Sequence, residues 1–152
     1  RESEALTGES SKKIYSADSQ SEWVYQTPML KTRKNASSVT VNDKIYVLGG
    51  ENEQGACKSF AAYDTKKKVW EELPEYPGSE TGICKASLIS YKNEIYVIGG
   101  QTGTGANAAA LKHIYVFNAE SKKWRYERSK NQFGNSCLRR QSICFFEGWG
   151  NG

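Results

Sequence analysis

The sequence predicts an all-β chain of repeated four-stranded antiparallel sheets, on three observations. "KIYVLGG" (Lys44–Gly50) recurs as "EIYVIGG" (Glu94–Gly100), with Gly49 and Gly99 standing 50 positions apart. Each copy is followed by an aromatic–Asp/Asn pair and then, seven residues after the aromatic, by a tryptophan: Tyr63-Asp64 with Trp70, and Phe117-Asn118 with Trp124. The 9 tyrosines and 4 tryptophans, together with Val, Ile and Thr, favour strands over helices. Self-similarity at this period marks a repeated supersecondary unit rather than a single-copy motif.

Each unit resolves into four strands, a to d. "ASSVTVNDKIYVLGG" and "ASLISYKNEIYVIGG" overlay without a gap. Val39-Thr40-Val41 and Leu88-Ile89-Ser90 are the a strands, and Asn42-Asp43 and Lys92-Asn93 are two-residue hairpin turns into strand b. Strand b ends at Gly49-Gly50 or Gly99-Gly100, where the backbone turns without a Cβ. A polar b–c loop follows. Strand c carries Tyr63-Asp64 or Phe117-Asn118, and the Asp or Asn bonds its own backbone at the bend into strand d, which begins at Trp70 or Trp124. "KKIYSADSQSEW" (12–23) reads as a weaker c–turn–d segment, and "RRQSIC" (139–144) overlays strand a of a further unit.

Several function classes are excluded or disfavoured. Net charge is +4, from 21 basic and 17 acidic residues, too mild to argue nucleic-acid binding. No apolar run reaches the roughly 20 residues that span a bilayer. "RESEALTGES" has no apolar signal core, so a cytoplasmic chain is expected. Cys57, Cys84, Cys137 and Cys144 form no C-x-x-C pair and are read as reduced thiols, with Cys57 and Cys84 beside Lys58 and Lys85 as weak redox candidates. Asn35-Ala36-Ser37 matches a glycosylation sequon, relevant only to a secreted protein. "GGQTGTG" (Gly99–Gly105) is glycine-rich, but a dinucleotide fingerprint needs a helix after it. "ANAAALK" (106–112) offers at most one helical turn. His113 is the single histidine, so neither a metal cluster nor a nucleophile–His–acid set can be assembled. The carboxylate pairs Glu51/Glu53 and Glu71-Glu72 read as solvated surface charge. No catalytic residue, cofactor or metal is expected.

Strand–Gly-Gly, aromatic–Asp/Asn and Trp at this spacing resemble the kelch repeat, over residues 12 to 144. The match is closest to the kelch region of BTB-kelch proteins, whose repeats carry "IYVIGG" and a Met…Arg signature. Met29 and Arg33 fit the latter, and the second unit departs, with Ile83 where Arg33 stands. The resemblance implies an incomplete kelch β-propeller. A flexible segment (1–11) precedes the partial propeller (12–152): a partial blade (12–26), full blades (36–75 and 84–128), then strand a of the next blade with a divergent tail (139–152). It also implies a protein-interaction module whose loops bind partner proteins. Basic residues at or next to the start of strand a (Arg33, Lys34, Lys85, Arg139 and Arg140) would contact acidic peptide motifs. A BTB-kelch parent would present a substrate to a cullin–RING ubiquitin ligase. Actin-binding kelch proteins and kelch-propeller enzymes are the alternatives, although copper-holding kelch oxidases use histidine and tyrosine, and this chain has the single histidine His113. Nucleic acid and membrane are not expected partners; further blades of a longer parent chain are.

Two blades with apolar outer faces need neighbours. The isolated chain is therefore expected to melt broadly in circular dichroism, and a sharp two-state transition would contradict this.

Overall fold

The computed structural model describes residues 23–129 and the backbone of two short strands beyond them. The first sheet contains β1 (Ser37–Val41), β2 (Lys44–Leu48), β5 (Phe60–Asp64) and β6 (Val69–Leu73), in the order β1-β2-β5-β6. The second contains β7 (Ser87–Tyr91), β8 (Glu94–Ile98), β9 (His113–Asn118) and β10 (Lys123–Ser129), in the order β7-β8-β9-β10. All pairings within these sheets are antiparallel. Two-stranded ribbons are formed by β3 (Glu51–Asn52) with β4 (Gly55–Ala56), and by β11 (Cys137–Leu138) with β12 (Ile143–Cys144). No helix among the described residues is long and apolar enough to cross a membrane.

The turns explain the sequence spacings. Lys92 and Asn93 both take left-handed φ (45° and 60°), the pattern of a tight two-residue hairpin. At the c–d turns, Asp64 Oδ1 accepts from the N–H groups of Lys66 and Lys67 (3.0 and 2.9 Å). Asn118 Oδ1 does the same for Glu120 and Ser121 (both 2.9 Å). Both turns close on a lysine with positive φ, Lys68 or Lys122. A four-residue turn sets Tyr63 opposite Trp70 and Phe117 opposite Trp124, which is why seven residues separate them. These cross-strand pairs pack with tilted rings, centroids 5.1 and 5.0 Å apart.

The second strand of each sheet carries apolar residues on both faces, so strand b reads as an unbroken apolar run. One face of the first sheet (Tyr46, Leu48, Phe60, Ala62, Val41) packs on one face of the second (Ile95, Val97, Phe117) in a single core, with Trp124 against it. Phe60 lies edge-on to Phe117 at 4.8 Å. The opposite face of the second sheet, with Tyr96, Ile114 and Val116, is equally buried. The opposite face of the first sheet is less covered: Ile45 is 36% exposed, whereas its counterpart Ile95 is 0% exposed.

Two polar contacts fasten neighbouring units, and the first of them is repeated. Trp124 Nε1 donates to Pro74 O (2.8 Å), and Trp70 Nε1 donates to Thr27 O (2.9 Å). Thr27 stands four residues after Trp23, as Pro74 stands four after Trp70. Residues 23–30 form no strand, but they occupy the place relative to β6 that the end of β6 occupies relative to β10. The second fastening is at Gly49-Gly50. Gly49 N donates to Ser59 O (2.9 Å) and Gly50 N to Ile83 O (2.8 Å). Gly49 has φ +63°, and a Cβ there would stand 2.0 Å from Ile83 O.

The b–c loop of the second sheet is the long loop that the sequence predicts. A single turn in it is closed by Ala108 N donating to Gly105 O (3.0 Å), and no helix follows. Gln101 instead bridges both Cys84 and Ala110, Thr102 N donates to Ala109 O, and Leu111 N donates to Gly100 O (both 2.9 Å). Backbone donors that a helix would use are spent across the loop. The sequence-based expectation for 139–152 concerned a strand a awaiting a strand b. Of that stretch only Ile143–Cys144 lies within the described residues, and it pairs upstream with Cys137–Leu138.

Gly49→Ala and Gly99→Ala separate the two roles of a glycine. Gly99 has φ +67° with no described atom near its missing Cβ, so alanine there is expected to cost about 1–2 kcal/mol of left-handed strain. Gly49→Ala adds a backbone clash with the next unit. It is expected to lose its strand circular-dichroism signal roughly 5 °C or more below Gly99→Ala.

Candidate partner-binding face

One end of each sheet gathers the b–c loop and the lead-in to strand a. In the first unit, Lys34 and Glu51 form an antiparallel bridge, with both N···O distances 2.9 Å. In the second, Cys84 and Gln101 do the same at 2.8 and 3.0 Å. Each lead-in is therefore clamped to the first residue of its own b–c loop. The two lead-ins also touch: Lys85 N donates to Asn35 O at 3.2 Å. Asn35 and Lys85 share left-handed φ values of 55° and 53°.

Glu51 sits between them. It is 9% exposed, the one buried charged residue among those described. Oε1 accepts from Asn35 Nδ2 (3.0 Å) and Thr104 Oγ1 (2.6 Å), Oε2 lies 2.5 Å from the same hydroxyl, and Lys34 Nζ stands 3.8 Å away. The Thr104 hydroxyl, followed by Asn35 and the charges of Lys34 and Lys85, holds its carboxyl below the usual 4.5. Glu51 is thus an anion joining the lead-in of one unit to the b–c loop of the next. The expectation of solvated charge is corrected here, and for Glu71 as well. Lys44 Nζ (3.3 Å) and Lys122 Nζ both reach the Glu71 carboxylate, and Lys122 comes from the second unit. Its pKa is lowered, chiefly by Lys122.

The five basic candidates meet different fates. Arg33 is half-buried, and its Nη1 donates to Gly49 O (3.2 Å) and Ser59 O (3.1 Å). The guanidinium thus caps carbonyls where strand b ends and strand c begins. Ile83, buried, holds that position in the second unit. Lys34 is exposed, with 76% of its side chain accessible, and Lys85 is also exposed. Both lie within electrostatic reach of Glu51. Arg139 and Arg140 lie outside the described residues. An open cleft of about 580 Å³ runs beside Lys34, lined by Thr32, Arg33, Glu51, Asn52, Glu53 and Gln54.

Other candidate groups have structural surroundings. Cys84 is buried, and burial pushes its thiol up; Cys57 accepts from Ser59 Oγ at 3.5 Å. His113 packs edge-on to Tyr115 and Tyr126, and its Nδ1 has no hydrogen-bond partner. No group of three or more His, Cys, Asp or Glu able to hold a metal occurs among the described residues. No helix follows Gly99–Gly105, so no helix N-terminus faces that glycine-rich loop.

With two such units and their shared clamp in view, comparison with known proteins is decisive. The KLHDC2/KLHL20/DRC7 Kelch-repeats domain matches residues 6–148. The chain belongs to the kelch-repeat family. Kelch-like protein 7 of Rattus norvegicus is 32% identical over 117 residues, covering 76% of this chain and 19% of that protein. Kelch-like protein 40 of Xenopus tropicalis is 32% identical over 108 residues, covering 68% and 17%. N-(sulfonatooxy)prop-2-enimidothioate sulfolyase of Thlaspi arvense is 36% identical over 106 residues, covering 66% and 29%. The kelch chain thus spans less than a third of each of these relatives. The solved structure of YjhT superposes with a TM-score of 0.61 at 15% identity, over 77% of this chain and 44% of that one, so the fold is shared.

The carboxylates predict an acid response. Glu51, Glu71 and Glu94 (the last held by Arg125 at 2.5 and 3.0 Å) all titrate lower when folded than their ordinary 4.5. The unfolded chain binds these protons first. Their contribution is therefore full above about pH 4.5 and lost as pH falls through the lowered values. Melting temperature should hold from about pH 7 to 5 and drop towards about pH 3. Glu71→Gln should melt lower at neutral pH and show a shallower drop.

Proposed function

We propose that this kelch segment is the partner-recognition part of a larger adaptor, and that its parent presents the bound protein to a cullin–RING ubiquitin ligase. One observation carries the binding reading: the lead-ins of successive blades lie side by side, displaying Lys34 and Lys85 around a buried, fixed carboxylate. Loops held by a rigid sheet scaffold are where binding concentrates. An acidic segment of a partner would pair with Lys85 and compete with Glu51 for Lys34 through charge-assisted hydrogen bonds. Glu51 sets a requirement on that segment, since a partner carboxylate placed directly over it meets like charge. Arg33 would contribute by shaping the cleft rather than by contact. The ligase role rests on similarity to Kelch-like proteins 7 and 40, of which the chain spans 19% and 17%.

A second reading has its own support in the sulfolyase relative, which is named as an enzyme and is 36% identical over 106 residues. Under that reading the face would be part of a small-molecule site completed elsewhere. Actin binding, the remaining alternative, is separated by co-sedimentation with filaments.

Titration against a panel of fluorescent peptides rich in Asp and Glu tests the binding reading. Kelch binding at about micromolar Kd is expected for at least one peptide, weakened about tenfold or more by Lys34→Glu/Lys85→Glu with an unchanged circular-dichroism spectrum. Binding that ignores both substitutions, or no binding across the panel, would overturn it. Co-purification of the full-length parent with a cullin tests the ligase role separately.

A further inference from the structure

Both four-stranded sheets make their tight turns at one end. The register sets Lys44, where strand b begins, opposite Asp64, where strand c ends, and Glu94 opposite Asn118 in the second sheet. The a–b and c–d turns therefore lie together, at the end away from Glu51 and the b–c loops. Contacts tie the four turns into one surface. Thr65 N and Oγ1 both donate to Asp43 O (2.9 and 2.7 Å), and Ala119 N donates to Asn93 O (2.8 Å). Between blades, Asn42 Nδ2 donates to Asn93 Oδ1 (3.1 Å), and Lys122 reaches Glu71.

The carboxylates of this end are occupied. Asp43 holds Lys66 (2.7 Å), Asp64 caps its own turn, Glu71 lies between Lys44 and Lys122, and Glu94 holds Arg125. Glu120 Oε1 accepts from Asn93 Nδ2 (2.9 Å). Lys67, Lys68, Lys92 and Lys123 are exposed, and among the described residues no carboxylate lies within ion-pair distance of any of them. Lys68 and Lys92 stand at left-handed turn positions, with φ 58° and 45°. The excess positive charge is thus carried on a fixed frame and left to whatever lies outside it.

We propose that this turn end is a second interaction surface, which takes an Asp- or Glu-rich segment of a protein. Carboxylates spaced along a peptide fit it better than a dense polyanion does. A nucleic-acid backbone or an anionic bilayer would bring phosphates over Asp43, Asp64 and Glu120 as well as over the lysines, and like charges repel. A peptide sets its carboxylates on the lysines and its neutral residues on the acids. Lysine suits this role, since a single ammonium on a flexible stem meets a carboxylate without bidentate geometry. The turn residues (42–43, 65–68, 92–93 and 119–122) include no aromatic ring on which a base could stack and no large apolar side chain to enter a bilayer. The surface does not depend on the partner-binding reading. With both in use, the module holds one acidic segment at each end.

Each blade supplies neutral replacements that suit the other's turns. Ser121 stands where Lys67 does, Asn42 where Lys92 does, and Val69 where Lys123 does. Fluorescein-labelled oligo-glutamate is titrated at low ionic strength into the full chain carrying Lys34→Ala/Lys85→Ala, which silences the opposite face. It is then titrated into the same chain with Lys67→Ser/Lys92→Asn/Lys123→Val added. Saturable binding is expected for the first chain, and binding about tenfold weaker for the second, with an unchanged circular-dichroism melt. Carbodiimide coupling joins a lysine amine to a carboxylate in contact with it. Digestion and mass spectrometry after coupling should place the probe on Lys67, Lys68, Lys92 or Lys123. The proposal is overturned by an absence of saturable binding, by binding that the added substitutions leave unchanged, or by coupling confined to other lysines. Tighter binding of a DNA oligonucleotide or of phosphatidylserine vesicles than of oligo-glutamate would overturn it as well.

Discussion

The carbonyl of Ile83 approaches Gly49 and Gly50 more closely than any side-chain-bearing residue at Gly49 would allow. That contact fixes where the second blade begins relative to the first. Gly50 donates to this carbonyl while Gly49 donates to Ser59, so one dipeptide ends its own strand pair and receives the neighbouring blade. The lead-in 83–86 then enters strand β7 at a height that sets Leu88 against the first sheet. The shared core of Leu48, Phe60, Ile95 and Phe117 follows from this placement. Glycine is needed there because the backbone of another unit occupies the side-chain position.

Polar contacts secure the same interface from several sides. Trp124 reaches across it to Pro74 O, Thr104 to Glu51, and Lys122 to Glu71. Each links a residue of the second blade to one of the first. Two of the three acceptors are carboxylates kept ionised by their donors, which ties the cohesion of the blades to pH. The face presenting Lys34 and Lys85 inherits its geometry from this interface, since the two lysines belong to different blades.

The repeat was legible in the sequence because its determinants are local. The turn at Asp64 needs Lys66 and Lys67, and the Tyr63–Trp70 pair needs only the hairpin between them. Glu51 was not legible. Its partners Asn35 and Thr104 lie 16 and 53 residues away, and the equivalent residue of the other blade is Gln101, so the repeat does not mark it. Arg33 was legible as a signature residue but not in its use, because its partners are backbone carbonyls that no residue type announces. The alanines of 106–110 suggest helix on propensity, yet the bridge between Gln101 and Ala110 prevails.

The tryptophan contact gives the stack a direction. Every blade offers an indole donor towards the preceding unit and a free carbonyl, at Thr27 or Pro74, towards the following one. Donor and acceptor lie on opposite faces, so the contact is heterologous: it joins head to tail and never head to head. A two-fold dimer would bring donor to donor or acceptor to acceptor and satisfy neither. Growth by this contact is polar, like adding links to a chain with distinct ends. It terminates without an unmet indole or carbonyl only by closing into a ring, or by capping each end with a different kind of surface.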